Sequence, residues 1–269
     1  MLRTLIFIAL LLCPVLATAD GATNLFFLHH STGRNMLDEG DARATIASMN
    51  SRQGTSYELW DHDYNHIGLR DPQGGYVGTY SIPDDNTDPD GLHQLWTTSN
   101  PARDAILANH QVIAFKSCYP ASDITSDAML EERKGWYLEM RDVFDQHPDK
   151  VFVVMSQPPR HRLATTVAQA DRARAFAEWL GSPEFLAGHA NIVSFDFFTL
   201  LAKADDGSET RNMLRYEYER SHSNDDSHPN MLANQTVCPL FVAFLIETAS
   251  SIPTPAEDMS FGELKTMFR

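Results

Sequence analysis

Five short apolar runs punctuate the chain, at residues 25–28, 57–60, 112–115, 151–155 and 192–195, and each is followed by a pattern of helical period. Val, Ile and Phe dominate the last three, which therefore read as strands covered on both faces. The helical pattern is clearest over residues 126–146. There Trp136, Met140, Val143 and Phe144 make an apolar stripe opposite Glu131, Glu132, Arg141 and Asp142. Residues 171–180 repeat it, with Ala173, Phe176, Trp179 and Leu180 facing inward. A last helix is predicted over residues 230–248, with a kink at Pro239. This strand–helix alternation predicts an α/β fold, a three-layer α/β/α sandwich around a five-stranded parallel sheet. No linker or repeat divides residues 20–269, so a single domain is expected.

The segment before the first strand reads as an address. Met1-Leu2-Arg3 gives a basic start, a nearly unbroken apolar run follows to Leu16, and Ala17-Thr18-Ala19 offers the small residues a signal peptidase reads. Residues 1–19 are thus expected to be a signal peptide and the mature protein exported, periplasmic or secreted, with no membrane partner after cleavage. A retained anchor is the alternative. A lipoprotein signal through Cys13 is disfavoured by Leu12, where a small residue is needed. With 269 residues, 43% of them hydrophobic, the chain has ample core material, which excludes disorder. Lys plus Arg number 21 against 36 for Asp plus Glu, a net charge of −15, so phosphate backbones are repelled and nucleic acid is not an expected partner. Loss of Cys13 leaves Cys118 and Cys238, either a disulfide pair or two separately buried thiols. Cysteine and histidine do not cluster at zinc spacing.

Two connections, residues 61–100 and 204–229, are longer than the frame requires, and loops of that length in compact domains are usually functional. In an open α/β sheet, ligands bind beyond the carboxyl ends of the strands. Chemistry is therefore sought in His29-His30-Ser31, Asp61-His62-Asp63, Lys116-Ser117-Cys118 and residues 156–162. Ser31 stands on a tight strand-to-helix turn followed by Gly33, which presents its hydroxyl and its own N–H at the sheet rim. Near the other end, Asp225 and His228 lie three apart just before the last helix, close enough for the carboxylate to hold one imidazole nitrogen while the other faces a nucleophile. Each piece has a plainer reading, Ser31 as a helix N-cap and His228 as a cap before Pro229. Their combination, in the order nucleophile, acid, base, favours catalysis.

On these residues the chain resembles the SGNH (GDSL-type) hydrolases, in a bacterial branch whose nucleophile block reads His29-His30-Ser31-Thr32-Gly33. Similar stretches run through Trp60-Asp61-His62-Asp63-Tyr64-Asn65, Asn86-Thr87-Asp88-Pro89-Asp90-Gly91, Phe115-Lys116-Ser117-Cys118-Tyr119-Pro120 and Ser227-His228-Pro229-Asn230. The resemblance implies Ser31 as nucleophile, His228 as general base and Asp225 as its orienting carboxylate. It also implies an oxyanion-hole glycine after the second strand, for which Gly68 is the candidate. The chain departs from the family at its third block, where Ser117-Cys118-Tyr119-Pro120 replaces Gly-x-Asn-Asp and the usual Asn donor is missing. Losing one oxyanion donor costs about 3 kcal/mol, so Asn65, Ser117 or Lys116 is expected to substitute.

His30, Trp60, Tyr64, Arg160 and His161 are candidates for substrate contact. Trp60, Tyr64 and Trp96 suit stacking on sugar rings, or alternatively fill the core under the long loop. His29 is expected to satisfy itself across the sheet top. No register of the acidic run from Asp84 to Asp90 supplies both the Gly and the Glu of an EF-hand calcium loop (counting from Asn86 gives Gly91 but Thr97), which leaves a single structural calcium as an alternative, and the sequence has no HExxH motif. Neither a catalytic metal nor a cofactor is expected. The leading expectation is an exported serine esterase that cleaves acyl, chiefly O-acetyl, esters on a carbohydrate or small-ester substrate. The rival is a non-catalytic carbohydrate-binding or accessory protein on a degenerate hydrolase frame. Metal-dependent hydrolysis comes third.

Overall fold

In the computed structural model, which describes residues 24–85 and 87–251, the first strand, β1 (Asn24–Leu28), is solvent-free from Leu25 to Leu28. Alternation along the strand sends Leu25 and Phe27 into one core and Phe26 and Leu28 into another. β2 (Glu58–His62) lies parallel to it on one side. The polar connection that follows folds back as β3 (Leu69–Arg70) and β4 (Tyr76–Gly78), both antiparallel. On the other side of β1 come β5 (Val112–Lys116), β6 (Val151–Met155) and β7 (Ile192–Phe195), all parallel. The order is β4-β3-β2-β1-β5-β6-β7.

The sheet is thus seven-stranded and mixed, which corrects the expected five-stranded parallel sheet. β3 and β4 are two and three residues long. Strands that short carry no alternation to read in a sequence, and they are held instead by contacts such as Arg70 Nε to Asp61 Oδ2 at 2.8 Å.

α1 (Ser31–Glu39), α2 (Ala42–Gln53), α8 (Phe197–Leu201) and α9 (Met231–Ser250) cover one face of the sheet. α3 (Pro89–Thr97), α4 (Pro101–Asn109), α5 (Asp127–Phe144), α6 (Val167–Leu180) and α7 (Pro183–Leu186) cover the other. α5 begins at Ser126, whose Oγ accepts from Met129 N–H. Its buried face is Leu130, Arg133, Tyr137, Met140 and Phe144, so Trp136 and Val143 of the expected stripe are only half-buried. The rotation has a polar cause: Arg133 donates to Ala121 O and Tyr137 OH meets Ser117 Oγ, contacts invisible to an apolar periodicity. α9 runs unbroken through Pro239, which stands on its exposed side. The expected signal peptide at residues 1–19 lies outside the described residues.

The connectivity sets the site. From β1 the chain moves to β2 on one side, then returns across β1 to β5 on the other. The crevice beyond the carboxyl ends of β1 and β5 is therefore the topological switch point, where open α/β sheets bind ligands.

Candidate active site

Ser31 is the first residue of α1, immediately past the carboxyl end of β1. His30, in extended conformation, caps the helix with its backbone (φ −126°, ψ 178°). Ser31 is half-buried, and its N–H donates to no partner among the described residues, as first-turn helix N–H groups are left free. Gly33 at the third helical position has a steric reason. A Cβ there would overlap His29 Cβ and stand 2.7 Å from His29 Cγ.

The block around Ser31 interlocks with residues 60–65 through three pairings. His29 Nε2 meets Asp61 Oδ2 at 2.9 Å, both side chains being solvent-free. The His30 ring stacks on Tyr64 with centroids 3.8 Å apart. Arg34 pairs with Asp63 at 3.2 Å. Burial works against the Asp61 charge, but the His29 hydrogen bond and the Arg70 and Arg43 guanidinium groups outweigh it and bring the carboxyl down to about 2. His30 is pushed down to about 3, first by burial and then by Lys116 and its other cationic neighbours, so it is a neutral imidazole. Buried and stacked, His30 supports the Ser31 turn rather than contacting substrate.

His228 lies in the loop before α9. The carboxylate on its Nδ1 is Asp226, at 2.6 Å, and not Asp225, which is exposed. The cause is local. Asp226 Oδ1 also accepts the His228 backbone N–H at 3.0 Å, an Asx turn that holds the carboxylate beside its own ring partner. Burial disfavours the Asp226 charge, but these hydrogen bonds and the imidazole outweigh it and hold the carboxyl below its usual range. With Nδ1 engaged, Nε2 is the free nitrogen. The His228 ring packs edge-on against Tyr119 at 5.0 Å. Tyr119 follows Cys118, whose Sγ is 3.5 Å from Ser31 Oγ, so one residue step links the two halves of the site. Ser31 Oγ makes no direct hydrogen bond to His228. The Tyr64 hydroxyl also lies close enough to the Ser31 side chain to feel it electrostatically.

The nominated oxyanion donors fare unequally. Ser31 N–H is free. Gly68 N–H closes a turn onto Tyr64 O at 2.7 Å, and its positive φ of 71° belongs to that turn. The Asn65 side chain is spent on Ile82 and Thr79, and the Ser117 hydroxyl on Tyr137. Each of these three groups is already paired inside its own loop or core. Lys116 is solvent-free and donates to Thr32 Oγ1 at 2.6 Å.

Among the substrate candidates, Tyr64 and, through its pairing with Asp123 at 2.9 Å, Arg160 stand near the crevice. Arg160 acts electrostatically on Tyr119. Trp60 packs into the core behind α3 and α4, and Trp96 is enclosed by Phe115, Phe144 and Phe152. His161 is solvent-free and pinned to Glu219 at 3.0 Å, so it holds the loop rather than a ligand. Cys118 and Cys238 are separate free thiols. The sequence pattern assigns no site role to Cys118, Tyr119 or Asp226. The block after β5 is the signal for the first two, and spacing alone cannot choose between Asp225 and Asp226.

No family model matches the chain, and no curated protein matches it. A solved structure from Streptococcus pneumonia, described as a candidate platelet activating factor, aligns over 83% of this chain and 84% of that one, at 12% identity and a TM-score of 0.45. A likeness of that degree bears on neither family nor activity.

Proposed function

We propose that this protein is an exported serine esterase that removes acyl groups, O-acetyl in the first instance, from a carbohydrate. The observation that carries the reading is the joint placement, at the switch-point crevice, of a serine with a free N–H and a histidine whose Nδ1 is held by a carboxylate. In this mechanism Ser31 Oγ attacks the ester carbonyl and His228 Nε2 takes its proton. Ser31 N–H stabilises the oxyanion, and the proton passes to the departing alcohol. Water, deprotonated by His228, then releases the acid from the acyl-enzyme. Asp226 stabilises the imidazolium formed in each half. Substrate entry must bring Ser31 Oγ from Cys118 to His228, as catalytic hydrogen bonds commonly tighten only in the complex. Half-buried Tyr64 and Tyr119 beside Ser31 suit the C–H faces of a sugar ring.

A second reading, a non-catalytic carbohydrate-binding protein, is favoured by the lone oxyanion N–H and the missing serine–histidine hydrogen bond. Fluorophosphonate labelling read by intact mass separates the two. The esterase reading expects one adduct in the wild type and none in Ser31→Ala or His228→Ala. A well-folded wild type that takes no label, with glycan binding intact in Ser31→Ala, overturns it.

A further inference from the structure

Behind Ser31 runs a chain of polar side chains that the mechanism above leaves unused. Lys116 Nζ, at the end of β5, donates to Thr32 Oγ1 at 2.6 Å and to Ser117 O at 3.2 Å. Thr32 Oγ1 and Ser31 Oγ each lie 3.5 Å from Cys118 Sγ. Lys116 and Thr32 are solvent-free and Cys118 is 7% exposed. Burial lowers the Lys116 amine from its ordinary value; Nζ donates to Thr32 Oγ1, which leaves the Thr32 hydroxyl proton for the remaining neighbour, the Cys118 sulfur. The polarity of the chain is thereby fixed from Lys116 through Thr32 to Cys118, and the sulfur is an acceptor.

We propose that Cys118 is a positioning residue for Ser31: its sulfur, polarised by Thr32 and backed by Lys116, accepts a hydrogen bond from the Ser31 hydroxyl at rest and fixes the direction of Oγ until substrate delivers it to His228. The proposal rests on the esterase reading and adds to it the residue that stands where the family's third-block donor is missing. It also explains why Ser31 Oγ is directed at sulfur and not at the imidazole. The groups facing Cys118 are Lys116 from β5, Ser31 and Thr32 from α1, Tyr64 from the loop after β2, and its neighbour Tyr119. Burial raises the thiol, but the Lys116 charge and the hydrogen bonds from Ser31 and Thr32 outweigh it, leaving Cys118 below its usual range. Cys238, buried without such neighbours, is pushed up to about 12 by burial and by Asp41.

The test is the pH profile of the fluorophosphonate labelling rate for the full chain, in wild type, Cys118→Ser, Cys118→Val and Lys116→Met, each checked for folding by circular dichroism. The wild type should show an inflection below the ordinary thiol value of 9.0, coincident with the rise of thiolate absorbance. Cys118→Val should label about tenfold or more slowly, with the inflection gone. Cys118→Ser should recover rate without the inflection, and Lys116→Met should move the inflection upward. A wild-type rate and profile in Cys118→Val overturn the proposal. If that variant fails to fold, persistence of the inflection in Cys118→Ser overturns it instead. A wild type that labels on Ser31 while ignoring Cys118 changes sinks this inference alone. A wild type that does not label at Ser31 sinks the esterase reading and this one together.

Discussion

At the scale of single residues, the Ser31 turn is defined by what its neighbours cannot be. His29 is committed to Asp61, which leaves no room for a side chain at position 33. Gly33→Ala is therefore expected to destabilise the fold by about 1–3 kcal/mol and slow Ser31 labelling, because His29 is too enclosed to yield cheaply. Thermal unfolding and labelling on the same preparation check both. The two adjacent aspartates offer a sharper contrast. Asp226→Asn should lower ester turnover by about 10²–10⁴-fold, since the imidazole loses the carboxylate that selects its tautomer. Asp225→Asn, on an exposed side chain, should stay within about twofold. Steady-state kinetics on an aryl acetate would expose a reversed ranking and restore Asp225 to the site.

At the scale of elements, α9 does more than cover the sheet. Its N-cap, Asn230, accepts from Ala233 N–H at 3.0 Å, and its amide nitrogen donates to Glu217 O at 2.9 Å and Glu219 O at 3.1 Å. One side chain thus ties the helix start to the loop that carries His228. Asn230→Ala should cost about 1 kcal/mol as a lost cap. It should also depress activity beyond the fraction unfolded, because the His228 loop is released with it. A Tm shift accompanied by wild-type kinetics at low temperature would show that the loop is held by other means, such as Ser227 Oγ on His161 N–H at 3.0 Å.

At the scale of the whole molecule, buried groups make the fold sensitive to acid in overlapping windows; His110, lowered to about 4 chiefly by burial, and His62, also lowered by burial, act in the same direction as His30. His30 is held neutral in the fold, down to about 3, whereas an unfolded chain protonates it at about 6.5. Between those values the unfolded state binds the extra proton, so stability falls by about 1.4 kcal/mol per pH unit as pH drops. Asp61 has its carboxyl lowered from 3.8 to about 2, so its contribution, about 2 kcal/mol, is complete above pH 3.8 and is lost as pH falls through 2. Urea unfolding from pH 7 to pH 3 should show a slope in the wild type that falls by about 1.4 kcal/mol per pH unit in His30→Phe, the remainder coming from His62 and His110. Equal slopes would mean that His30 is protonated in the folded protein.

What the sequence determines by itself is whatever depends on neighbours in the chain. Apolar runs locate β1, β5, β6 and β7 to within a residue and β2 to within two, because strand burial is written in consecutive side chains. Helix periods locate α5, α6 and α9, and the positions of Ser31 and His228 beside those elements follow directly. What needs the tertiary structure is competition for a shared partner. Gly68, Asn65 and Ser117 look like donors until Tyr64, Ile82 and Tyr137 claim them, and Trp60 and His161 look like contact residues until the core and Glu219 absorb them. Asp226 displaces Asp225 through a turn of one loop, and β3 and β4 join the sheet through Asp61 and its arginines. A hydrogen bond is set by which groups reach each other across the fold, and the order of residues along the chain does not record that reach.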